Sequence, residues 1–170
     1  MKRVATLIAG LTLLAGTSAC SSQPEQAIVS AQASAQPSAS TASLPTVSGP
    51  LNQAPTISKP TGTPPSTLQI SDISMGTGAA VVSTSTVSVQ YTGLSWSDGQ
   101  TFDSSWQRGQ PATFSLAQVI PGWQQGLVGM KVGGRRLVVI PPSLGYGASG
   151  QGPIKPNETL VFVVDLLAVK

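Results

Sequence analysis

The sequence predicts an α+β domain: an antiparallel sheet of about five strands with one short helix. Three observations carry that reading. Val87, Val89 and Tyr91 alternate with Ser88, Gln90 and Thr92, the period of a half-buried strand. Leu160 to Val169 is a long apolar run of strand type, broken only by Asp165. Pro121 opens a stretch to Val128 that suits a helix, because the N–H that proline lacks is unpaired in a first turn anyway.

The remaining elements follow from local signals. Thr67 to Ile73 alternates weakly and reads as a strand. Asp98-Gly99 is a hairpin-type turn leading into Gln100 to Asp103. Ala112 to Leu116 is another short strand, and Arg135 to Ile140 a further one stopped by Pro141-Pro142. Gly129 can end the helix. A curved sheet of this size needs cover on its concave face, and the Pro121–Val128 helix is the only candidate.

Upstream the chain changes character. Lys2 and Arg3 precede an apolar run, Val4 to Gly16, which is short for a membrane span but suits a cleaved leader. Thr17-Ser18-Ala19 is small, and the chain's single cysteine, Cys20, follows. The segment resembles a bacterial lipoprotein signal, in which that cysteine receives lipid; Thr17 departs from the usual Leu. Residues 1–19 are thus expected to be a signal peptide, with Cys20 the lipid attachment point at a membrane surface. Residues 20–65 are rich in Ser, Ala, Gln, Thr and Pro, with no apolar period. They read as a disordered tether. Residues 66–170 form the working domain.

Composition excludes several chemistries. There is no histidine, so Ser-His-Asp and Cys-His nucleophile systems and His-ligated metals are ruled out. One cysteine cannot make an intrachain disulfide. The formal charge is +3, but two of the basic residues lie in the leader, so the mature chain is nearly neutral. That gives no electrostatic case for nucleic acid. No metal or cofactor is expected.

Four blocks carry a resemblance to a known family. They are Val87-Ser88-Val89-Gln90-Tyr91-Thr92-Gly93; Asp98 through Phe102-Asp103 to Ser105; Val119-Ile120-Pro121-Gly122-Trp123 running on to Gly134; and Ile140-Pro141-Pro142 through Tyr146-Gly147, followed by Asn157-Glu158-Thr159-Leu160-Val161-Phe162. In this order and spacing the domain resembles an FKBP-type peptidyl-prolyl cis-trans isomerase over about residues 67–170. The resemblance implies a twisted antiparallel half-barrel sheet wrapped around the short helix. It implies catalysis by a shallow apolar pocket that favours the twisted amide, without a cofactor.

By the same resemblance the catalytic group is Tyr91, Phe102, Asp103, Ile120, Trp123 and Tyr146, with Phe114, Val119, Phe162 and Ala112 binding substrate. Trp123 would be the floor, Phe102, Val119 and Phe162 the walls. The Ile120 N–H and the Tyr146 hydroxyl would hold substrate carbonyls, and Asp103 would orient Tyr91. Read without the resemblance, Trp123, Phe102 and Phe162 are core aromatics and Asp103 is a turn residue. Gly145, Gly147, Gly150 and Gly152 are loop glycines, and Arg135-Arg136 a solvated strand start.

Some positions depart from the family. Ala112 stands where members often carry an aromatic, which lowers one wall. The segment before Val119 is about two residues short, and Gln151, on a loop over the pocket, replaces a histidine. The large insertion of chaperone-type members is missing. The expected function is isomerisation of X-Pro bonds in exported polypeptides, by a monomer on the outer face of the cell membrane, with macrolides as possible inhibitors. A catalytically weak peptide-binding or chaperone module is the alternative.

Overall fold

The structure, a computed structural model, describes residues 43–170. The leader, Cys20 and the tether through residue 42 lie outside the described residues. Two short paired strands come first, β1 (Val47–Ser48) and β2 (Thr56–Ile57). The main sheet follows: β3 (Gln69–Ser74), β4 (Thr86–Ser95), β5 (Thr101–Ser104), β6 (Ala112–Ser115), β7 (Arg135–Ile140) and β8 (Leu160–Val169). Its order is β3-β7-β8-β4-β5, with β6 also on β4, and every pairing is antiparallel.

The sheet has six strands rather than five because the two short segments after β4 share one of its flanks. β5 pairs with Thr92–Leu94 and β6 with Thr86–Val89. The sheet does not close on itself, which is the open half-barrel. α2 (Pro121–Leu127) is the expected helix. A single-turn helix, α1 (Ser105–Arg108), was not anticipated; it ends on Gly109 at φ 72°, a left-handed cap.

β7 and β8 are buried on both faces, which explains their continuous apolar sequence. One face packs Val87, Val89, Tyr91, Val138, Ile140, Phe162 and Val164 against Trp123 and Leu127 of α2. The helix lies very close to the strands. A Cβ on Gly122 would sit 2.3 Å from Ile140 Cγ2, and one on Gly126 2.7 Å from Val138 Cγ1. Only glycine at both positions lets α2 reach this depth.

The other face packs Leu94, Trp96, Leu137, Val139, Val161 and Val163. Here the sequence reading is corrected. Residues 43–65 are not tether; they fold over this face. Leu44, Val47 and Ile57 pack on the cluster, and the Trp96 Nε1–H donates to the Gly62 carbonyl at 3.1 Å. Composition misled because a hairpin this small borrows its apolar partners from a distant sheet.

The two arginines are a second correction: neither is solvated. Arg135 is 1% exposed and pairs with Asp165, its neighbour in the β7–β8 register, at 2.5 Å. Its remaining N–H groups donate to Gly49 O at 3.1 Å and Gln53 O at 2.7 Å in the β1–β2 turn. Arg136, on the opposite face, pairs with Asp72 of β3 at 2.6 Å and donates to Gly126 O at 2.9 Å, holding the end of α2. Consecutive strand residues point to opposite faces, so one dipeptide fastens the hairpin on one side and the helix on the other.

A chain starting at residue 66 leaves the Arg135 guanidinium short of two charge-assisted bonds and bares the outer cluster. It is expected to be at least about 2 kcal/mol less stable than a chain starting at residue 43. Urea denaturation of both checks this; equal midpoints at equal slope would show that the hairpin adds nothing.

Candidate active site

Where the inner face of the sheet meets α2, a ring of aromatics encloses a cleft of about 610 Å³. Trp123 stands at its base, 4% exposed. Tyr91, Phe114 and Phe162 meet it edge-on, with ring centroids 5.5, 5.4 and 5.3 Å away and planes 82–89° apart. Phe102 meets Phe162 the same way at 5.5 Å. Edge-to-face contact sets the positive ring edge on the negative ring face, so the cluster holds its shape without polar bonds.

Gly93 makes that cluster possible. A Cβ there would lie 2.7 Å from Phe102 and 2.8 Å from Phe162. Tyr91 is fixed by its backbone as well. β5 leaves β4 after Ser104, where the ladder would otherwise lose a bond. The buried Ser105 hydroxyl accepts the Tyr91 N–H there at 2.8 Å.

One end of the cleft is polar. The Tyr91 hydroxyl donates to Asp103 Oδ2, and Arg108 donates to Asp103 Oδ1. Arg108 also donates to the Tyr91 hydroxyl at 2.9 Å, its guanidinium 5.5 Å from the Tyr91 ring. Burial pushes the Tyr91 phenol above its ordinary value, and its bond to Asp103 adds to that. Tyr146 is also raised, first by burial and then by the Asp103 charge. Its hydroxyl has no hydrogen-bond partner among the described residues, so the proton is free to be donated.

The roof is the loop between β7 and β8. It is pinned by a turn in which Gln151 and Ile154 exchange backbone bonds of 3.0 and 2.9 Å, and by Asn157 N–H to Gly147 O at 2.9 Å. Ile154, 8% exposed, joins the core, so the loop is anchored from below. Among the described residues no cluster of His, Cys, Asp and Glu could hold a metal ion.

Comparison with known proteins identifies the family. The family model for FKBP-type peptidyl-prolyl cis-trans isomerase matches residues 78–167. The FK506-binding protein of Streptomyces anulatus is 51% identical over 119 residues, 68% of this chain and 96% of the relative. The chain belongs to the FKBP-type peptidyl-prolyl cis-trans isomerases. The outer membrane protein MIP of Legionella longbeachae is 49% identical over 107 residues, 62% of this chain and 46% of the relative. The crystal structure of FkpA from Escherichia coli superposes with a TM-score of 0.58 at 47% identity, covering 61% of this chain and 48% of that one. The chain thus spans less than half the length of these last two.

Nine of the ten pocket residues named from the sequence line this isomerase's cleft: Tyr91, Phe102, Asp103, Phe114, Val119, Ile120, Trp123, Tyr146 and Phe162. Ala112 does not. It shares a strand face with Phe114, but its methyl stops at the core and leaves the cleft to the phenyl ring. Cys20 lies outside the described residues.

Gln118, Gly152, Pro153 and Ile154 line the cleft unforeseen, and Arg108 braces it from beside Asp103. Arg108 sits five residues past Asp103 on a helix that no periodicity signals. Gln151 lines the cleft, as its loop position suggested.

No histidine is available to titrate, and both phenols stay protonated past their ordinary value of 10.0. Turnover is therefore expected to be flat from about pH 6 to 9. The stability these phenols contribute is intact below pH 10 and lost as pH climbs through their raised values. A pH–rate profile with a midpoint near neutrality would contradict the assignment.

Proposed function

We propose that this isomerase works through the Trp123-based cleft, turning X-Pro bonds by stabilising the twisted amide. The observation that carries the reading is the juxtaposition of five edge-packed aromatics with two unpaired donors, the Ile120 N–H and the Tyr146 hydroxyl. Neither donor has a partner among the described residues.

The chemistry follows from amide resonance. Partial double-bond character raises the rotation barrier to about 18–20 kcal/mol. At the twisted transition state that resonance is lost, the carbonyl oxygen carries less charge, and the nitrogen becomes pyramidal. Water stabilises the planar form better than the twisted one. A cleft lined by Trp123, Phe114, Phe162 and Phe102 removes that water and accommodates the prolyl ring. The Ile120 N–H and the Tyr146 hydroxyl would hold flanking carbonyls so that the chain on one side of the bond turns against a fixed other side. No bond is made to the protein and no cofactor is needed.

Asp103 faces the same space but is held by Tyr91 and Arg108. In this reading it is an orienting group. The proposed substrates are proline-containing segments of unfolded polypeptides. The cleft is assembled from one chain, so the proposed working unit is a monomer. Family membership also makes macrolides candidate inhibitors.

The proposed location is outside the cytoplasm, on a membrane surface, through lipid on Cys20. The leader composition supports it, and a relative is named an outer membrane protein. Exported polypeptides are then the natural clients. Cys20→Ser is expected to move the protein from the membrane fraction to the soluble one. Retention of the variant in washed membranes would refute the anchor.

Exchange spectroscopy on a Leu-Pro-Phe peptide tests the activity and its site together. The purified chain is expected to speed exchange, and the Asp103→Ala, Tyr146→Phe double variant to lose at least about tenfold, each lost contact being worth about 1 kcal/mol or more. Full activity in that variant would move the site elsewhere.

A further inference from the structure

The Ile120 N–H belongs to the peptide unit that joins Val119 to Ile120. In a trans peptide the carbonyl and the N–H are coplanar and point in opposite directions. Whatever holds the Val119 carbonyl therefore also aims the Ile120 N–H. The Gln124 side chain holds it: Nε2 donates to Val119 O at 2.9 Å.

Several facts make this contact more than a surface bond. Gln124 is part-buried, on the first turn and a half of α2. Its own N–H donates to Ile120 O at 3.2 Å, beside the Trp123 N–H at 2.9 Å. So the peptide units before and after Ile120 are both tied to α2, one through the side chain of Gln124 and one through the backbone. Ile120 itself is not helical, with φ −57° and ψ 147°. The Gln124 bond is the one hydrogen bond among the described residues that reaches the Val119–Ile120 peptide unit itself. The neighbouring Gln125 is exposed and makes no such bond.

We infer that Gln124 is a positioning residue: it sets the aim of the Ile120 N–H toward the substrate carbonyl without touching substrate. The inference rests on the reading above, in which that N–H is a substrate anchor. It requires a side chain that donates. A carboxylate of the same length would turn two acceptors on each other.

The test is NMR on the full chain with the same proline peptide. In the wild type, a scalar coupling across the hydrogen bond is expected between Gln124 Nε2 and the Val119 carbonyl carbon, and its absence from a well-resolved spectrum would overturn the inference. Peptide addition is expected to move the Ile120 amide cross-peak downfield. Gln124→Met, which keeps length but removes the donor, is expected to shrink that movement. It should raise KM roughly three- to tenfold, the worth of one neutral hydrogen bond, with a smaller change in kcat. Gln125→Met should change neither.

An unchanged KM and an unchanged Ile120 shift in folded Gln124→Met would overturn the positioning role while leaving the anchor intact. Turnover by the wild type with no movement of the Ile120 cross-peak would instead overturn the anchor itself, and the role of Gln124 with it.

Discussion

The cleft exists because α2 lies against the sheet with nothing between them. Gly122 and Gly126 face Ile140 and Val138 at distances no side chain could share. Both opposing residues are β-branched and stiff about χ1, so they cannot swing aside. This close approach sinks Trp123 until its ring meets Tyr91, Phe114 and Phe162 edge-on. Gly93 repeats the device on β4, where an absent Cβ lets Phe102 and Phe162 meet. The site is an outcome of backbone proximity before it is an arrangement of side chains.

Charge is used sparingly and mostly to fasten. Buried ion pairs add little net stability, but an unpaired partner is strongly penalised, so they discriminate between arrangements. Arg135 is satisfied only when Asp165 and two hairpin carbonyls are all in place. Arg136 likewise needs Asp72 and the end of α2. Asp103, Arg108 and Tyr91 form the one charged group at the cleft, and there the charges satisfy one another. The rest of the lining carries no charge: it is mostly apolar, with Gln118, Gln151 and the Tyr146 hydroxyl as its polar side-chain groups.

Much of this was legible in the sequence. The alternation in β4, the proline at the start of α2 and the apolar run of β8 are local signals, and each element formed where its signal lay. The four blocks contain eight of the residues that line the cleft, because their spacing is fixed by the fold, and Phe114 lies between two of them. What escaped is non-local. Residues 43–65 look like linker until the outer cluster of Trp96, Leu137 and Val161 is known to need a cover. Arg135 and Arg136 look solvated until the sheet is known to be buried on both faces. Arg108 has no pattern around it, and its partners are reached only through the α1 turn. Ala112 was named as substrate-binding from the resemblance, but it does not line the cleft.

The account makes one geometric demand above the others: the depth at which α2 sits decides whether Trp123 completes the cleft. The most direct measurement is the cis–trans exchange rate of a Leu-Pro-Phe peptide catalysed by Gly126→Ala, taken well below its unfolding midpoint with tertiary structure verified by near-ultraviolet dichroism. The added methyl must displace α2 or Val138, since they would otherwise stand 2.7 Å apart. The account predicts a folded protein whose turnover falls at least about tenfold, the effect of a small misplacement at the reacting centre. A folded variant with wild-type turnover would contradict it and show that the cleft tolerates a helix seated elsewhere.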